Sequence, residues 1–283
     1  MSKLEIKDLS YVYGAGTPFE VKALDSVSVT FEDGLITGLI GHTGCGKSTL
    51  VQMLNGLLKP DYGQVLLDGK DIWEDPKQIS KIRFRVGLVM QYPEYQLFEE
   101  TVRDDIAYGP RNMGLSEDEV AAAVLEAASS VGIDAATLDR SPFDLSGGQK
   151  RRVAMAGVIA MRPDILVLDE PAAGLDPRGR REVLGGLMKY SRDTKRTVVL
   201  VSHSMEDMAA YCDRLVVMNG GKVQKCGTPA EIFEDPALLE GCGLDIPQIT
   251  HTVSLLRERG FDIPSGIYTV DAAADALEPL LKK

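Results

Sequence analysis

The run Gly41-His42-Thr43-Gly44-Cys45-Gly46-Lys47-Ser48 fits G-x-x-x-x-G-K-[ST], and it restricts the fold more than any other feature of the chain. The pattern holds phosphate only where a strand leads into it and a helix leads out. Here the apolar Leu39 and Ile40 precede it, and Leu50, Met53, Leu54 and Leu57 give the following helix an inward face that Pro60 ends. The glycines let successive backbone N–H groups converge on phosphate oxygens, the helix N-terminus adds its positive end, and Lys47 supplies a mobile cation. Ser48 is placed to hold Mg²⁺, and Thr49 belongs to the same expected binding segment. Cys45 should be accessible without nucleotide and shielded with it. The other cysteines, Cys212, Cys226 and Cys242, form no C-x-x-C pair with it or each other, so neither a zinc site nor a disulfide framework is expected.

Around this loop the apolar pattern describes an α/β core with additions. Val86 to Met90, Ile165 to Leu168 and Val198 to Val201 are apolar on consecutive positions, which suits strands buried on both faces of a parallel sheet. Leu4 and Ile6, then Val27, Val29 and Phe31, alternate with polar neighbours instead, and Asp68-Gly69 and Asn219-Gly220-Gly221 read as hairpin turns. These mark an antiparallel β region. From about 92 to 160 the chain turns helical: Ala121 to Ala128 is rich in helix formers, and Ser116 precedes acidic residues as an N-cap. After residue 240, Gly241, Gly243 and Pro247 lead into a helix on which Ile249, Val253 and Leu256 share a face. Thr269 is placed to cap a last helix through Leu281. The expected division is a main domain over residues 1–240 and a small C-terminal module over 241–283.

In open α/β sheets, ligands bind at the carboxyl ends of the strands. The strand Ile165 to Leu168 ends in Asp169-Glu170, so both carboxylates should face the phosphate site. Asp169 can orient Mg²⁺ and Glu170 can polarise the attacking water as general base. The strand Val198 to Val201 ends at Ser202-His203, where His203 could contact a γ-phosphate. Gln91 follows the strand Val86 to Met90 in the same way, as a ligand of Mg²⁺ or of the lytic water.

Leu145-Ser146-Gly147-Gly148-Gln149 offers a second anion site, a Ser-Gly-Gly turn opening a helix over Gln149 to Met161. This pentapeptide is identical to the signature of ABC ATPases, and the chain resembles that family from residue 1 to about 235. The resemblance implies a P-loop NTPase core with a mostly parallel sheet, an antiparallel β subdomain and a helical signature subdomain. It implies ATP and Mg²⁺ as cofactors, ATP hydrolysis as the activity, and a head-to-tail dimer in which the signature of one chain caps the γ-phosphate held by the other. Gln91 resembles the Q-loop glutamine, Ala172 to Asp176 the D-loop, and His203 the switch histidine. Tyr13 resembles the aromatic that stacks on adenine, with Tyr11 as the alternative.

Gly16-Thr17-Pro18-Phe19-Glu20, Gly41-His42-Thr43-Gly44 and Tyr92-Pro93-Glu94-Tyr95-Gln96-Leu97-Phe98 are similar to one branch, the energy-coupling factor (ECF) ATPases that power uptake of vitamins and metal ions. Gly243-Leu244-Asp245-Ile246-Pro247 with the helix after it looks like that branch's C-terminal dimerisation module. The resemblance then implies a paralogous or identical ATPase partner, a transmembrane scaffold subunit and a substrate-binding membrane subunit. Glu94, Glu99 and Glu100 are expected to receive arginines from the scaffold. A conventional ABC importer or exporter ATPase is the nearest alternative.

Composition bears on the partners. With 31 basic against 42 acidic residues the net charge is -11, which argues against nucleic acid or an anionic lipid surface as the main partner. The uncharged apolar run Val153 to Met161 falls well short of the roughly 20 residues that span a bilayer. The start, MSKLEIKD, lacks the apolar stretch of a secretory signal. A peripheral position on the cytoplasmic face of the cell membrane is expected.

Overall fold

The computed structural model describes residues 3–281. Its strands are β1 (Leu4–Tyr13), β2 (Val21–Phe31), β3 (Ile36–Ile40), β4 (Tyr62–Leu67), β5 (Lys70–Asp71), β6 (Val86–Val89), β7 (Ile165–Asp169), β8 (Thr197–Val201), β9 (Arg214–Asn219) and β10 (Lys222–Gly227). Its α-helices are α1 (Lys47–Leu54), α2 (Ile79–Arg85), α3 (Val102–Asn112), α4 (Glu117–Ser130), α5 (Gly147–Ala160), α6 (Pro177–Thr194), α7 (Met205–Tyr211), α8 (Pro229–Phe233), α9 (Pro236–Gly241), α10 (Gln248–Glu258) and α11 (Val270–Leu281). The larger sheet has the order β10-β9-β3-β8-β7-β6. All its neighbours run parallel except the β9–β10 hairpin. The smaller sheet is antiparallel, β2-β1-β4-β5.

Alternation along the buried strands explains the layering. Successive side chains of a strand point to opposite faces, and β3, β7 and β8 are buried at every position. Ile36, Ile40, Leu166, Leu168, Val198 and Leu200 therefore pack into one core with the helices. Leu39, Ile165, Val167, Val199 and Val201 pack into a second core with α1 and the antiparallel sheet. The parallel sheet is thus covered on both sides, and its carboxyl ends remain open where the loops after β3, β6, β7 and β8 meet.

Helices α3, α4 and α5 form a helical arm around Ile106, Val124, Ala127, Val153 and Ala156. Ser116 caps α4 through a reciprocal capping box with Glu119. A second capping box corrects the expected start of the signature helix. Ser146 Oγ accepts from Gln149 N (3.4 Å) and Gln149 Oε1 accepts from Ser146 N (3.0 Å), so Ser146 is the N-cap and Gly147 and Gly148 lie inside the first turn. A Ser-Gly-Gly turn ahead of a helix beginning at Gln149 is expected from the sequence; the cap geometry instead draws both glycines into the helix despite their low helix propensity.

Toward the C-terminus, Ile249, Val253 and Leu256 of α10 pack with Ile263, Ile267 and Ala273 in a separate apolar cluster. Thr269 Oγ1 accepts from Ala272 N at 3.3 Å and so caps α11. Among the described residues no helix is long and apolar enough to cross a membrane.

Candidate active site

The loop between β3 and α1 is shaped by what its glycines avoid. Gly46 has φ 103°, and a Cβ there would stand 2.5 Å from the Ala23 carbonyl oxygen, so only glycine fits. A Cβ on Gly41 would collide with the Met218 carbonyl and the Cys45 sulfur. Lys47 is buried and folds back across the loop, its Nζ donating to the carbonyls of Gly41 (2.7 Å) and His42 (3.0 Å). The ammonium is thereby held at the mouth of a nest of backbone amides, which is the arrangement that binds phosphate.

A cavity of about 380 Å³ opens beside this loop, within the range of small-molecule sites. Thr43, Gly44, Gly46, Lys47, Ser48 and Thr49 form one wall; Gln91, Asp169, Glu170 and His203 form the other; Tyr13, Val21 and Ala23 close one end. Tyr13 is 42% exposed, stacks edge-on against Tyr11 with ring centroids 4.8 Å apart, and its hydroxyl lies 3.4 Å from Thr49 Oγ1. Tyr11 packs instead against the second core. His42 and Cys45 are not on the cavity wall. Cys45 is 1% exposed and points under Gly41, so the expected accessible thiol is corrected: the loop turns that side chain into the core.

Glu170 is the most perturbed carboxylate of the cavity. Burial, and then the neighbouring Asp169, push it up to about 7, with Lys47 and Arg180 opposing. Its backbone adopts φ 52°, a value rare outside glycine, and is held there by donation from Glu170 N to the Val201 carbonyl at 3.0 Å. Its Oε1 is buried without a hydrogen-bond partner; His203 Nε2 stands 3.4 Å away. A buried acceptor left open beside a phosphate loop is what a general base for a bound water requires. Burial and Lys47 hold His203 below the ordinary imidazole range, so at neutral pH it is uncharged with one N–H to donate. Burial raises Asp169, against hydrogen bonding from Ser48, the Lys47 ammonium and, least of these, the His203 ring. Ser48, Asp169 and Gln91 offer hydroxyl, carboxylate and amide oxygens, a hard donor set that fits Mg²⁺ together with phosphate and water.

The signature lies elsewhere on the chain. Ser146, Gly148 and Gln149 line a separate depression with Asp176 and Gly179, and none of them reaches the phosphate cavity. A Cβ on Gly147 would meet nothing within 4 Å, so the first turn of α5 is open. Asp176 caps α6, its Oδ1 accepting from Gly179 N at 2.6 Å. Within one chain, then, the phosphate-loop cavity and the signature segment line two separate depressions that share no residue.

The model of the family described as "ABC transporter" matches residues 24–173. An energy-coupling factor transporter ATP-binding protein EcfA2 of Clostridium acetobutylicum is 53% identical over 271 residues, covering 95% of each chain. One of the same name from Symbiobacterium thermophilum is 54% identical over 273 residues, covering 96% of this chain and 94% of its own. The chain belongs to the ECF transporter ATP-binding proteins, within the ABC transporter family. A solved structure of cbiO1 from Clostridium perfringens, described as part of the ABC transporter complex cbiONQ, superposes with a TM-score of 0.75 at 38% identity over 89% of this chain and 98% of that one. The MJ0796 cassette dimer in a post-hydrolysis state with ADP and Pi superposes at 0.72 with 26% identity, over 80% and 98%.

One residue of this ECF ATP-binding protein escaped the sequence reading. Arg151 is 3% exposed, and its guanidinium grips Glu94 bidentately, Nε to Oε2 at 3.0 Å and Nη2 to Oε1 at 2.7 Å, while Nη1 donates to the Ala173 carbonyl. Burial alone would raise Glu94, but Arg151 outweighs it and holds the carboxyl below its usual range. The expected acidic patch for scaffold arginines is corrected at Glu94, which is already satisfied within the chain. The signal was present: Arg151, Met155 and Ile159 share one buried stripe of α5.

Proposed function

We propose that this ECF ATP-binding protein hydrolyses ATP in the cavity between the phosphate loop and the ends of β6, β7 and β8. The observation that carries the reading is the convergence of Lys47, His203 and the unpartnered Oε1 of Glu170 on one cavity. Backbone amides from Gly44 to Thr49 and the Lys47 ammonium hold the β- and γ-phosphates, and Tyr13 stacks on adenine at the end it lines with Val21 and Ala23. Ser48, Asp169 and Gln91 would hold Mg²⁺, which would neutralise charge developing on the phosphate oxygens. Glu170 takes a proton from the water as its oxygen bonds to the γ-phosphorus; the bond to the bridging oxygen breaks and ADP leaves. His203 donates to the γ-phosphate and registers its departure.

Ser146, Gly147, Gly148, Gln149 and Asp176 act on the nucleotide of a second ATP-binding chain, paralogous or identical. The dimeric cassette of the MJ0796 neighbour supports such pairing. The names of the relatives support coupling to membrane components of an ECF transporter; in our reading these are a transmembrane scaffold and a subunit that binds a vitamin or metal ion for uptake. The protein then lies peripherally at the cytoplasmic face of the membrane. Residues 241–283 are its dimerisation module. The alternative of a conventional ABC importer or exporter ATPase has weaker support from these names. The deciding experiment is Glu170→Gln in the full chain with MgATP: ATP stays bound, turnover falls at least ~100-fold, and a dimer accumulates on gel filtration. Turnover at the wild-type rate would remove Glu170 as base.

A further inference from the structure

The hairpin turn between β9 and β10 touches the phosphate loop at several points, and one of its side chains also reaches the C-terminal segment. Asn219 Oδ1 lies 3.0 Å from His42 Nε2, while the other ring nitrogen of His42, Nδ1, is 2.7 Å from the Thr43 carbonyl. On its opposite side Asn219 Nδ2 donates to the Gly241 carbonyl at 3.3 Å, at the end of α9. Two backbone contacts reinforce the arrangement. Gly221 N donates to the Cys45 carbonyl at 3.2 Å, and Gly243 lies against His42, where a Cβ would be in ordinary contact at 3.7 Å. The backbone of Asn219 is itself held, because Gln224 Nε2 donates to its main-chain carbonyl at 3.2 Å. A single half-buried amide therefore bridges the loop that receives phosphate and the chain leading into α10.

We infer that Asn219 is a positioning residue of the phosphate loop and, through Gly241, couples the loaded loop to the C-terminal segment. The inference rests on the nucleotide reading above and deepens it. His42 contributes no group to the cavity wall; both of its ring nitrogens face oxygen acceptors, the Thr43 carbonyl and Asn219 Oδ1, so the ring makes both hydrogen bonds only when each nitrogen carries a proton, and in that form it pins the Thr43 peptide while Asn219 holds its pose. Nucleotide arriving at Thr43 to Ser48 tightens the loop, and the same amide carries that ordering to Gly241, Cys242 and Gly243. Neither residue contacts a reacting atom, so the bridge acts on affinity and on the order of the tail, not on the chemical step.

The test measures ATP affinity of the full-length wild type, Asn219→Ala, His42→Ala, the double variant and Lys47→Ala by calorimetry, with amide hydrogen exchange over residues 238–247. One lost hydrogen bond of about 1 kcal/mol corresponds to about fivefold weaker ATP binding for each single variant. Because both variants cut the same bridge, the double variant should bind no worse than the weaker single. In the wild type, ATP should slow exchange at residues 241–243, and in both single variants that protection should disappear although ATP still binds at saturation. Melting temperatures identify any variant that has lost its fold; His42→Ala, on the loop's outer side, tests the link independently of the hairpin. Additive losses, unchanged affinity in folded Asn219→Ala, or wild-type protection of residues 241–243 in the variants would each overturn the inference. Undiminished binding by Lys47→Ala would instead overturn the phosphate site, and the inference with it.

Discussion

Glu170 places the strongest constraint on pH. Its folded-state value, raised to about 7 from 4.5, means that the native protein holds this proton more tightly than the unfolded chain does. The stabilisation is fully present below 4.5 and is lost as pH rises through about 7. In nucleotide-free, metal-free protein the stability of the wild type relative to Glu170→Gln should therefore fall across that window, as read from urea unfolding at successive pH values; a difference independent of pH would contradict the assignment. Asp169→Asn removes the second cause of the shift and should bring the Glu170 titration down, measurable by carboxyl-carbon NMR. The acidic pair was legible in the sequence because a run of apolar residues ends abruptly in two charges. The unpartnered Oε1 and the left-handed backbone were not, since both depend on how Val201 and His203 of the next strand sit beside the turn.

Among the elements, α5 is both the signature helix and the clamp on the loop after β6. Arg151 ties its first turns to Glu94 and to the Ala173 carbonyl, so the loop after β6, the start of α5 and the loop after β7 meet on one buried guanidinium. Removing one partner of a buried ion pair leaves an uncompensated charge, and Arg151→Ala should destabilise the protein by about 3 kcal/mol. Arg151→Met combined with Glu94→Gln leaves no charge behind and should recover much of that loss; equal destabilisation by the single and double variants in urea unfolding would argue against the pair. The sequence made strands β6, β7 and β8 visible because Val86 to Met90, Ile165 to Leu168 and Val198 to Val201 are apolar without interruption, and α4 because Ser116 precedes acidic residues and an alanine-rich run. It hid Arg151, since an arginine two residues beyond a polar signature reads as solvated unless its place on the Met155 and Ile159 stripe is noticed.

For the whole molecule, the arrangement of the two depressions is decisive. One chain presents a cavity lined by Lys47, Asp169, Glu170 and His203, the residues proposed to bind phosphate and hydrolyse it, and elsewhere a depression lined by Ser146, Gly148 and Gln149 beside the open first turn of α5. The sequence already implied this by carrying one copy of each motif in order; their separation in space is a property of the fold. The net charge of -11 leaves the proposed anion-binding groups as local features, and on the paired reading proposed above completion of a site falls to a second chain with the same motifs and not to a polyanion. Gly147 separates the two contributions. A side chain there is accommodated in the single chain, since nothing lies within 4 Å of its Cβ position, yet a carboxylate at that point would oppose the γ-phosphate of the partner's nucleotide. Gly147→Asp should leave the ATP affinity of the isolated chain within about twofold of wild type, because the phosphate loop is untouched. It should lower steady-state ATPase by about 100-fold or more, the scale expected when a preorganised donor set at a developing charge is lost. Hydrolysis at the wild-type rate by Gly147→Asp would mean that the chain works as a monomer with a self-sufficient site, and the paired reading would fall while the assignments of Lys47 and Glu170 stood.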